Sequence, residues 1–346
     1  MHAIAEVRPI EPEHPPRCPP AESVREGVFD IPGGLALHHG GVLPAVRVAW
    51  RMAGAANAPL VCALGGISAS RRVCLTEQPR QSWWREVAGP ARPLDTDRYR
   101  VLSFDYLGGS GETTGPRAGE CFPSISTYDQ AEVLVRLLDH LRIQALRAIV
   151  GGSYGGMVAL AFAERFPERV AQLIVLCAAD RPYPLASAWR SVQRDIVRLG
   201  IEAGRPAESL ALARALGMST YRSGEEFAAR FSGPAVFEQG RARLPVERYL
   251  AARGADYAAR HLPEAFLCLS ESIDLHTVDA ERICVPTAVV GVREDLLVPL
   301  TEVRALAARL RAARLFEISS IYGHDAFLKE SQQLRGVFAA VLENLS

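Results

Sequence analysis

Residues 148–162 hold the pattern that most restricts what this chain can fold into. The apolar run Ala148-Ile149-Val150 leads into Gly151-Gly152-Ser153-Tyr154-Gly155-Gly156 and then into an alanine-rich apolar segment. This pattern predicts a buried strand, a sharp turn and a helix, because glycines around Ser153 let strand and helix approach closely. Such a turn exposes the serine hydroxyl and places the Tyr154 N–H at the positive end of the helix, where it can stabilise an oxyanion. Ser153 is therefore a candidate nucleophile. The alternative, a glycine-rich turn with a solvent-exposed serine, is disfavoured by the strand before it and the helix after it.

Strand-like and helical patterns alternate on both sides of this turn. Further strands are predicted at residues 45–50, 59–64, 99–105, 172–178, 286–292 and 314–318, and residues 126–141 have apolar side chains at helical spacing. The alternation predicts an α/β fold with a doubly wound, mostly parallel sheet.

The middle of the chain interrupts the alternation. Residues 181–281 lack strand signals and are helical, charged and rich in arginine, which predicts an inserted helical cap. The predicted organisation is a disordered tail over 1–24, the first part of the core over 25–180, the cap over 181–281, and the second part of the core over 282–346. The tail contains prolines and acidic residues but no apolar segment of the kind found in signal peptides.

Composition excludes several classes of partner. Basic and acidic residues both number 39, so the net charge is zero and nucleic-acid binding is not expected. No apolar stretch is long enough to cross a membrane. The seven cysteines are scattered without a C-x-x-C pair, which argues against a disulfide framework or a zinc site and predicts a reduced, cytoplasmic protein without a bound metal.

A nucleophilic serine needs a base and a carboxylate that orients the base. In sheets with this kind of turn, the acid follows a late strand and the histidine follows the last one, in the order serine, acid, histidine. Asp295 follows the penultimate predicted strand and His324 follows the last, whereas the other seven histidines lie in the tail, before the turn or in the cap. Glu294 and Asp274 are weaker candidates for the acid.

The second donor to an oxyanion is expected from the turn after the predicted strand 59–64, because that turn faces Ser153 across the sheet edge. Its candidates are the backbone N–H of Leu64 and, as an alternative, that of Gly65. Losing one such donor typically costs about 3 kcal/mol of transition-state stabilisation. An ordinary glycine turn is the competing interpretation of Gly65-Gly66.

Further motifs are spread along the chain. They are Trp83-Trp84 with Gly89-Pro90, Asp95-Thr96-Asp97-Arg98-Tyr99, Leu107-Gly108-Gly109-Ser110-Gly111 with Thr114-Gly115-Pro116, Gln193-Arg194, Thr220-Tyr221-Arg222-Ser223, Tyr249-Leu250, and Gly323-His324-Asp325-Ala326-Phe327-Leu328. Together with the turn at Ser153, they make the sequence resemble the homoserine O-acyltransferases of the α/β-hydrolase superfamily over nearly the whole chain after the tail. Several of the motifs are absent from generic esterases.

The resemblance implies an L-homoserine O-acyltransferase of methionine biosynthesis that works through an acyl-serine intermediate. The resemblance implies that Ser153 is the nucleophile, that His324 is the general base and acid, and that Asp295 orients His324. The family's substrate arginine matches Arg194, which suits the amino-acid carboxylate, and its substrate aspartate matches Asp325, which suits the α-ammonium group. The resemblance also implies acetyl-CoA or succinyl-CoA as a co-substrate, no permanently bound cofactor, and a homodimer formed through the cap.

The sequence also departs from the family pattern. Cys62-Ala63-Leu64-Gly65-Gly66 replaces the usual His-Ala-Leu-Thr/Ser-Gly, an Asn-Pro-x-Thr-Gly segment is missing after Pro116, and the cap is short. These changes leave open the acyl donor and the acceptor, which could be L-serine. A succinyl carboxylate would need a cation, for which the candidates are Arg71, Arg72, Arg117 and Arg222. A serine esterase or thioesterase of the same fold is an alternative, and a non-catalytic binding protein is disfavoured by the intact order of serine, acid and histidine.

Overall fold

The computed structural model describes residues 17–76 and 81–343. The strands in this part of the chain are β1 Val24–Asp30, β2 Leu35–Ala36, β3 Val42–Leu43, β4 Arg47–Ala53, β5 Leu60–Leu64, β6 Ala88–Gly89, β7 Leu94–Asp95, β8 Arg100–Phe104, β9 Ala148–Gly152, β10 Leu173–Leu176, β11 Val236–Glu238, β12 Arg241–Arg243, β13 Thr287–Val292 and β14 Ala313–Ile318. The helices are α1 Thr127–His140, α2 Tyr154–Arg165, α3 Pro184–Glu202, α4 Pro206–Tyr221, α5 Gly224–Phe231, α6 Pro245–Ala258, α7 Pro263–Asp274, α8 Leu300–Arg309, α9 Ala326–Lys329 and α10 Ser331–Leu342.

Eight strands form the central sheet, in the order β1-β4-β8-β5-β9-β10-β13-β14. Strand β4 runs antiparallel to both of its neighbours, and the pairs from β8 to β14 are parallel. The predicted doubly wound, mostly parallel sheet is confirmed. Because the chain passes from β5 back to β8 and then returns to β9, the strand order reverses at β5, and ligands are expected outside the carboxyl ends of β5 and β9.

The sheet is buried on both faces because its central strands are apolar on both sides. Cys62 and Leu64 of β5 belong to one core cluster, which also contains residues of α1, α2 and α8, whereas Val61 and Ala63 point into the other, which contains residues of α10. This is the continuous apolar pattern expected of a parallel strand covered on both faces.

Helices α3 to α7 lie between β10 and β13, inside the segment predicted as a helical cap. They have a small core of their own, which includes Val197, Leu210 and Phe266. The buried His276, just after α7, joins this region to the core through Thr127 Oγ1 at 2.8 Å and the Ala179 carbonyl at 3.2 Å. No helix among the described residues is both long and apolar enough to cross a membrane.

The predicted strands do not include β1, the two-residue pairs β2/β3 and β6/β7, or the cap hairpin β11/β12. Strand β1 begins at Val24, which is the last residue of the predicted tail, and residues 1–16 of that tail lie outside the described part of the chain. The cap also contains the hairpin β11/β12, whose turn places Gln239 and Gly240 at φ of 49° and 74°. All of these strands are polar or short, so their strand periodicity is weak.

Candidate active site

Ser153 stands at the turn between β9 and α2 in a conformation that few non-glycine residues adopt, with φ of 55° and ψ of −121°. The glycines around Ser153 are required because a larger side chain at their positions would collide with neighbouring atoms. A Cβ on Gly155 would lie 2.3 Å from the Leu64 carbonyl oxygen, and one on Gly151 would lie 2.2 Å from the Gly155 carbonyl oxygen. The turn predicted from the sequence is therefore present, and its glycines let α2 pack directly against the ends of β5 and β9.

The structure brings Ser153, His324 and Asp295 into one chain of hydrogen bonds. His324 Nε2 lies 2.8 Å from Ser153 Oγ, and His324 Nδ1 lies 2.7 Å from Asp295 Oδ2. The other carboxylate oxygen, Asp295 Oδ1, accepts hydrogen bonds from the N–H groups of Leu297 and Val298 at 2.8 and 3.0 Å. These bonds fix the carboxylate, which in turn fixes the imidazole with its Nε2 lone pair directed at the serine hydroxyl.

The histidine is poised to accept a proton. Burial lowers the pKa of His324, but the Asp295 carboxylate and its hydrogen bond, with a further contribution from Asp325, raise it more, so the pKa is raised overall. His324 and Asp295 are only 6% and 3% exposed, so water screens this pair little. A raised pKa makes the imidazole a stronger base toward the Ser153 hydroxyl.

The alternative acids are engaged elsewhere. Glu294 accepts hydrogen bonds from Ser319 Oγ and from the Ser320 N–H. Asp274 lies in the cap, where it pairs with Arg190 and Arg194. Neither has a hydrogen bond to His324 among the described residues.

Cys177 brings a thiol close to the pair, and its sulfur lies within 4.8 Å of ligand atoms of Asp295 and His324. A metal ion would need a free imidazole nitrogen, but the hydrogen bonds to Ser153 and Asp295 occupy both. Burial raises the pKa of Cys177 well above its ordinary value, so the thiol stays protonated and is a poor ligand. The arrangement suits proton transfer rather than metal binding.

The first turn of α2 leaves one N–H without a hydrogen-bond partner among the described residues. Gly155 N–H donates to the Gly65 carbonyl at 2.9 Å, and the N–H groups of Gly156 and Met157 donate to the Ser153 carbonyl. Within the described residues, the Tyr154 N–H has no such partner, which leaves it available to an oxyanion.

The second predicted oxyanion donor, Leu64, is the last residue of β5 and pairs in register with Gly151. Its side chain is buried and does not line the cavity next to Ser153, whereas Gly66 and Ile67 from the following turn do. The N–H of Leu64 stays a prediction, and the residues of this turn that face the cavity lie two and three positions further on.

A cavity of about 160 Å³ lies over Ser153 and His324 at the carboxyl ends of β5 and β9. Its walls come from both the core and the cap and include Trp83, Met157, Trp189, Tyr221, Phe266 and Leu297. Most of this lining is apolar, and the charged side chains stand at defined positions within it, as is usual for a small-molecule site.

Arg194 as the substrate arginine stays a prediction, and the structure places it outside the lining of this cavity. Arg194 Nη1 donates to Asp274 Oδ2 at 2.6 Å and to Ser270 Oγ and the Ser270 carbonyl at 3.2 and 3.1 Å. Arg190, four residues earlier, does line the cavity, but Asp274 already holds it at 2.6 Å.

Arg214 is the better candidate, and the sequence analysis missed it. It lines the cavity, and its guanidinium lies 4.7 Å from the ring centre of Tyr257 and 5.0 Å from that of Tyr221. Among the described residues no carboxylate pairs with it. Arg214 occurs in an ordinary helical pattern, so only its placement in the fold distinguishes it from the other cap arginines.

Asp325 does line the cavity, next to His324. One of its oxygens, Oδ2, accepts a hydrogen bond from Arg222 Nε at 2.8 Å, and Arg222 in turn pairs with Glu226. The cavity therefore presents a cation, Arg214, and a carboxylate, Asp325, beside the Ser153 hydroxyl.

A parallel sheet with a nucleophilic serine on a strand-to-helix turn, followed in the chain by an acid and a histidine, defines the class of α/β-hydrolase-fold enzymes. Residues 59–331 match the family model for the alpha/beta hydrolase fold. The chain is 40% identical over 310 residues to homoserine O-succinyltransferase of Xanthomonas campestris, covering 89% of this chain and 82% of that protein. It is 36% identical over 370 residues to homoserine O-acetyltransferase of Thermus thermophilus, covering 96% and 95% of the two chains. The chain belongs to the homoserine O-acyltransferase family.

Solved structures agree on the fold. The homoserine O-acetyltransferase of Bacillus anthracis superposes with a TM-score of 0.84 at 18% identity, covering 93% of this chain and 98% of that one. The esterase E22 superposes almost as well, with a TM-score of 0.82 at 21% identity, covering 92% and 100%. Because transferases and esterases share this fold, activity has to be argued from the site.

Proposed function

We propose that the protein is an acyltransferase that moves an acyl group from acyl-CoA to the side-chain hydroxyl of L-homoserine, in methionine biosynthesis. The observation that carries the proposal is one cavity that holds Ser153 hydrogen-bonded to His324 together with a cation, Arg214, and a carboxylate, Asp325. An ester hydrolase needs only Ser153 and His324 of these four residues. Arg214 and Asp325 match the α-carboxylate and the α-ammonium group of an amino acid. Membership of the homoserine O-acyltransferase family supports the same acceptor.

In the first half-reaction, Ser153 Oγ attacks the thioester carbonyl while its proton passes to His324 Nε2. The oxyanion is stabilised by the Tyr154 N–H and by a donor from the turn after β5. When the carbon–sulfur bond breaks, His324 returns the proton to the departing sulfur, which leaves as the CoA thiol. The product is an acyl ester on Ser153 and a neutral imidazole.

In the second half-reaction, the homoserine hydroxyl gives its proton to His324 Nε2 and attacks the acyl-serine carbonyl. The bond to Ser153 Oγ breaks, and His324 returns the proton to that oxygen. Arg214 binds the α-carboxylate and Asp325 the α-ammonium group, which holds the acceptor hydroxyl at the acyl carbon. To outcompete water at ~55 M, an acceptor at ~1 mM needs a preference of about 6.5 kcal/mol, which positioning can supply.

The test is thiol release from acetyl-CoA and from succinyl-CoA, each with and without L-homoserine or L-serine. Release that depends on L-homoserine is expected, and the comparison of donors and acceptors identifies the acyl group and the amino acid. Ser153→Ala should abolish release with its fold intact. Equal release with and without every amino acid would identify a thioesterase and overturn the proposal.

The two candidate arginines can be separated by a matched pair of lysine variants. Arg214→Lys should raise the KM for L-homoserine at least tenfold, because lysine loses the two-pronged contact to a carboxylate. Arg194→Lys keeps a cation beside Asp274 and should change this KM little. Acylation of Ser153 in the absence of acceptor should be similar in both. The opposite pattern would restore Arg194 as the substrate arginine.

We also propose a cytoplasmic homodimer. The seven cysteines are free thiols, as expected in a reducing compartment. Large apolar side chains on α3 and α4 are exposed at Leu185, Val192, Leu199 and Leu212, by 47%, 52%, 65% and 60%. The three on α3 are seven residues apart and so share one face, which a second copy of the cap would cover.

A further inference from the structure

A second cavity, of about 470 Å³, lies between the cap helices α4, α5 and α6 and the core helix α9. We call it the basic cavity, because six of its lining side chains are cationic. They are Arg214, Arg222, Arg230, Arg253, Arg260 and Lys329. The acyl-transfer chemistry described above uses only the first of these.

The carboxylates near the basic cavity neutralise only part of this charge. Asp325 and Glu226 pair with Arg222, Glu226 also pairs with Arg230, and Asp256 pairs with Arg260. Three carboxylates therefore face six cations, which leaves an excess of three positive charges.

Arg253 and Lys329 account for two of these charges. Both side chains are exposed, and among the described residues neither has an ion-pair or hydrogen-bond partner. Unpaired cations concentrated in one concave site attract a multiply charged anion, and arginine suits the oxygens of phosphate in particular.

The basic cavity adjoins the cavity over Ser153. Arg214, Asp325 and Leu328 line both. An anion held by Arg253 and Lys329 would therefore lie on the far side of these three side chains from the nucleophile. A third cavity, near Ser110, has one arginine in its lining, Arg260, together with the acidic Asp105, and is a poorer site for an anion.

We propose that the basic cavity binds the phosphate groups of the acyl-CoA nucleotide, with Arg253 and Lys329 as contacts, while the thioester arm passes the shared wall to Ser153. This inference rests on the proposed function, since it assigns a place to the donor of that reaction. It also names residues that set affinity for the donor without touching the reacting atoms.

The test compares two acyl donors in the variants Arg253→Glu and Lys329→Glu. With acyl-CoA, the KM should rise at least tenfold, since each variant replaces an attractive charge with a repulsive one. With the acyl thioester of N-acetylcysteamine, which has no phosphate, the KM should not rise. Arg25→Glu is the matched control, because Arg25 is exposed on β1, at the edge of the sheet opposite β14. It should leave the KM unchanged for both donors. Thermal unfolding of each variant checks the fold.

Binding experiments separate the nucleotide from free phosphate. Adenosine 3′,5′-bisphosphate should compete with acyl-CoA in the unmodified enzyme and lose this ability in Arg253→Glu, whereas inorganic phosphate at the same concentration should compete weakly. Equal competition by inorganic phosphate would mean a site for a simple anion and would overturn the assignment to the nucleotide.

Failure of this inference differs from failure of the proposed function. If Arg253→Glu and Lys329→Glu keep the KM for acyl-CoA while the unmodified enzyme transfers acyl groups to L-homoserine, the basic cavity is not the phosphate site. If the unmodified enzyme shows no transfer to an amino acid, the proposed function fails first. A rise in KM that is equal for both donors would indicate a structural role for these residues and would also overturn the inference.

Discussion

At the scale of single residues, the proton path from Ser153 to His324 depends on the Asp295 carboxylate, which makes contacts through both of its oxygens. Asp295 Oδ2 holds the imidazole of His324, and Asp295 Oδ1 accepts two backbone N–H groups of its own loop. The loop therefore aims the carboxylate, and the carboxylate both aims the imidazole and raises its pKa. Orientation and basicity come from the same contact.

This arrangement predicts the pH dependence of the reaction. His324 must be neutral to accept the Ser153 proton, and its pKa is raised above the ordinary value of 6.5. We therefore expect kcat/KM for the acyl donor to rise with pH through a midpoint above 6.5 and to fall tenfold per pH unit below that midpoint.

The pH dependence of kcat/KM in two variants tests whether Asp295 is the cause of the raised pKa of His324. Asp295→Asn removes the charge that raises the pKa, so the midpoint should move to lower pH and the rate should fall. Glu294→Gln is the matched control, since its hydrogen bonds go to Ser319 and Ser320. A midpoint that moves in Glu294→Gln and stays in Asp295→Asn would contradict the assignment of the acid.

The residues of this proton path were predictable from the sequence, whereas the residues proposed to bind the acceptor were predictable only in part. Ser153, Asp295 and His324 follow strands in a fixed order, so sequence position alone restricts them strongly. Arg214 and Arg194 both lie on cap helices, and no local pattern tells which guanidinium a neighbouring Asp274 captures. That choice depends on how helices pack, which a single sequence does not reveal.

At the scale of secondary structure, the turn at Ser153 requires a close approach of three elements. Strands β5 and β9 end together, and α2 begins where their carbonyl groups emerge. The sequence predicted β9 and α2 because a continuous apolar pattern runs through both, on either side of the turn. It missed β1, whose burial alternates weakly, and the cap hairpin, whose strands have three residues each.

A glycine pair tests the close approach. In Gly155→Ala the new Cβ would meet the Leu64 carbonyl carbon and oxygen at 2.4 and 2.3 Å, so α2 must shift. We expect a loss of about 2 kcal/mol in unfolding free energy and a large fall in kcat. The measurements are denaturant unfolding and the thiol-release assay.

The control replaces a glycine with open space around it. A Cβ on Gly336, which is exposed in α10, has no atom within 4 Å outside its own helix and chain neighbours. Gly336→Ala should therefore leave kcat unchanged and increase stability by up to about 1 kcal/mol through helix propensity. Full activity in Gly155→Ala would show that the turn tolerates a side chain there.

At the scale of the whole molecule, the cap supplies Arg214, most of the lining of the basic cavity and an apolar outer face, while the core supplies Ser153, His324 and Asp295. The apolar face on α3 and α4 predicts the association of two copies. Leu199→Asp should convert a dimer into a monomer, since it places a charge at the most exposed position of the α3 face.

Light scattering after size-exclusion chromatography measures this change. Val42→Asp is the control, because Val42 is 63% exposed on the short strand β3, outside the cap. A dimer that survives Leu199→Asp, or an unmodified protein that is monomeric, would contradict the proposed interface.

Tyr154 is in contact with both the cap and the core next to Ser153. The Tyr154 hydroxyl and Ser272 Oγ of α7 are 2.7 Å apart, and the ring packs edge-on against Tyr106, whose hydroxyl donates to the Gly65 carbonyl. The residue proposed to offer its N–H to the oxyanion is thus joined by its side chain to the cap helix α7. We therefore expect a shift of α7 to disturb the alignment of the Tyr154 N–H, so that the position of the cap and the strength of the oxyanion site change together.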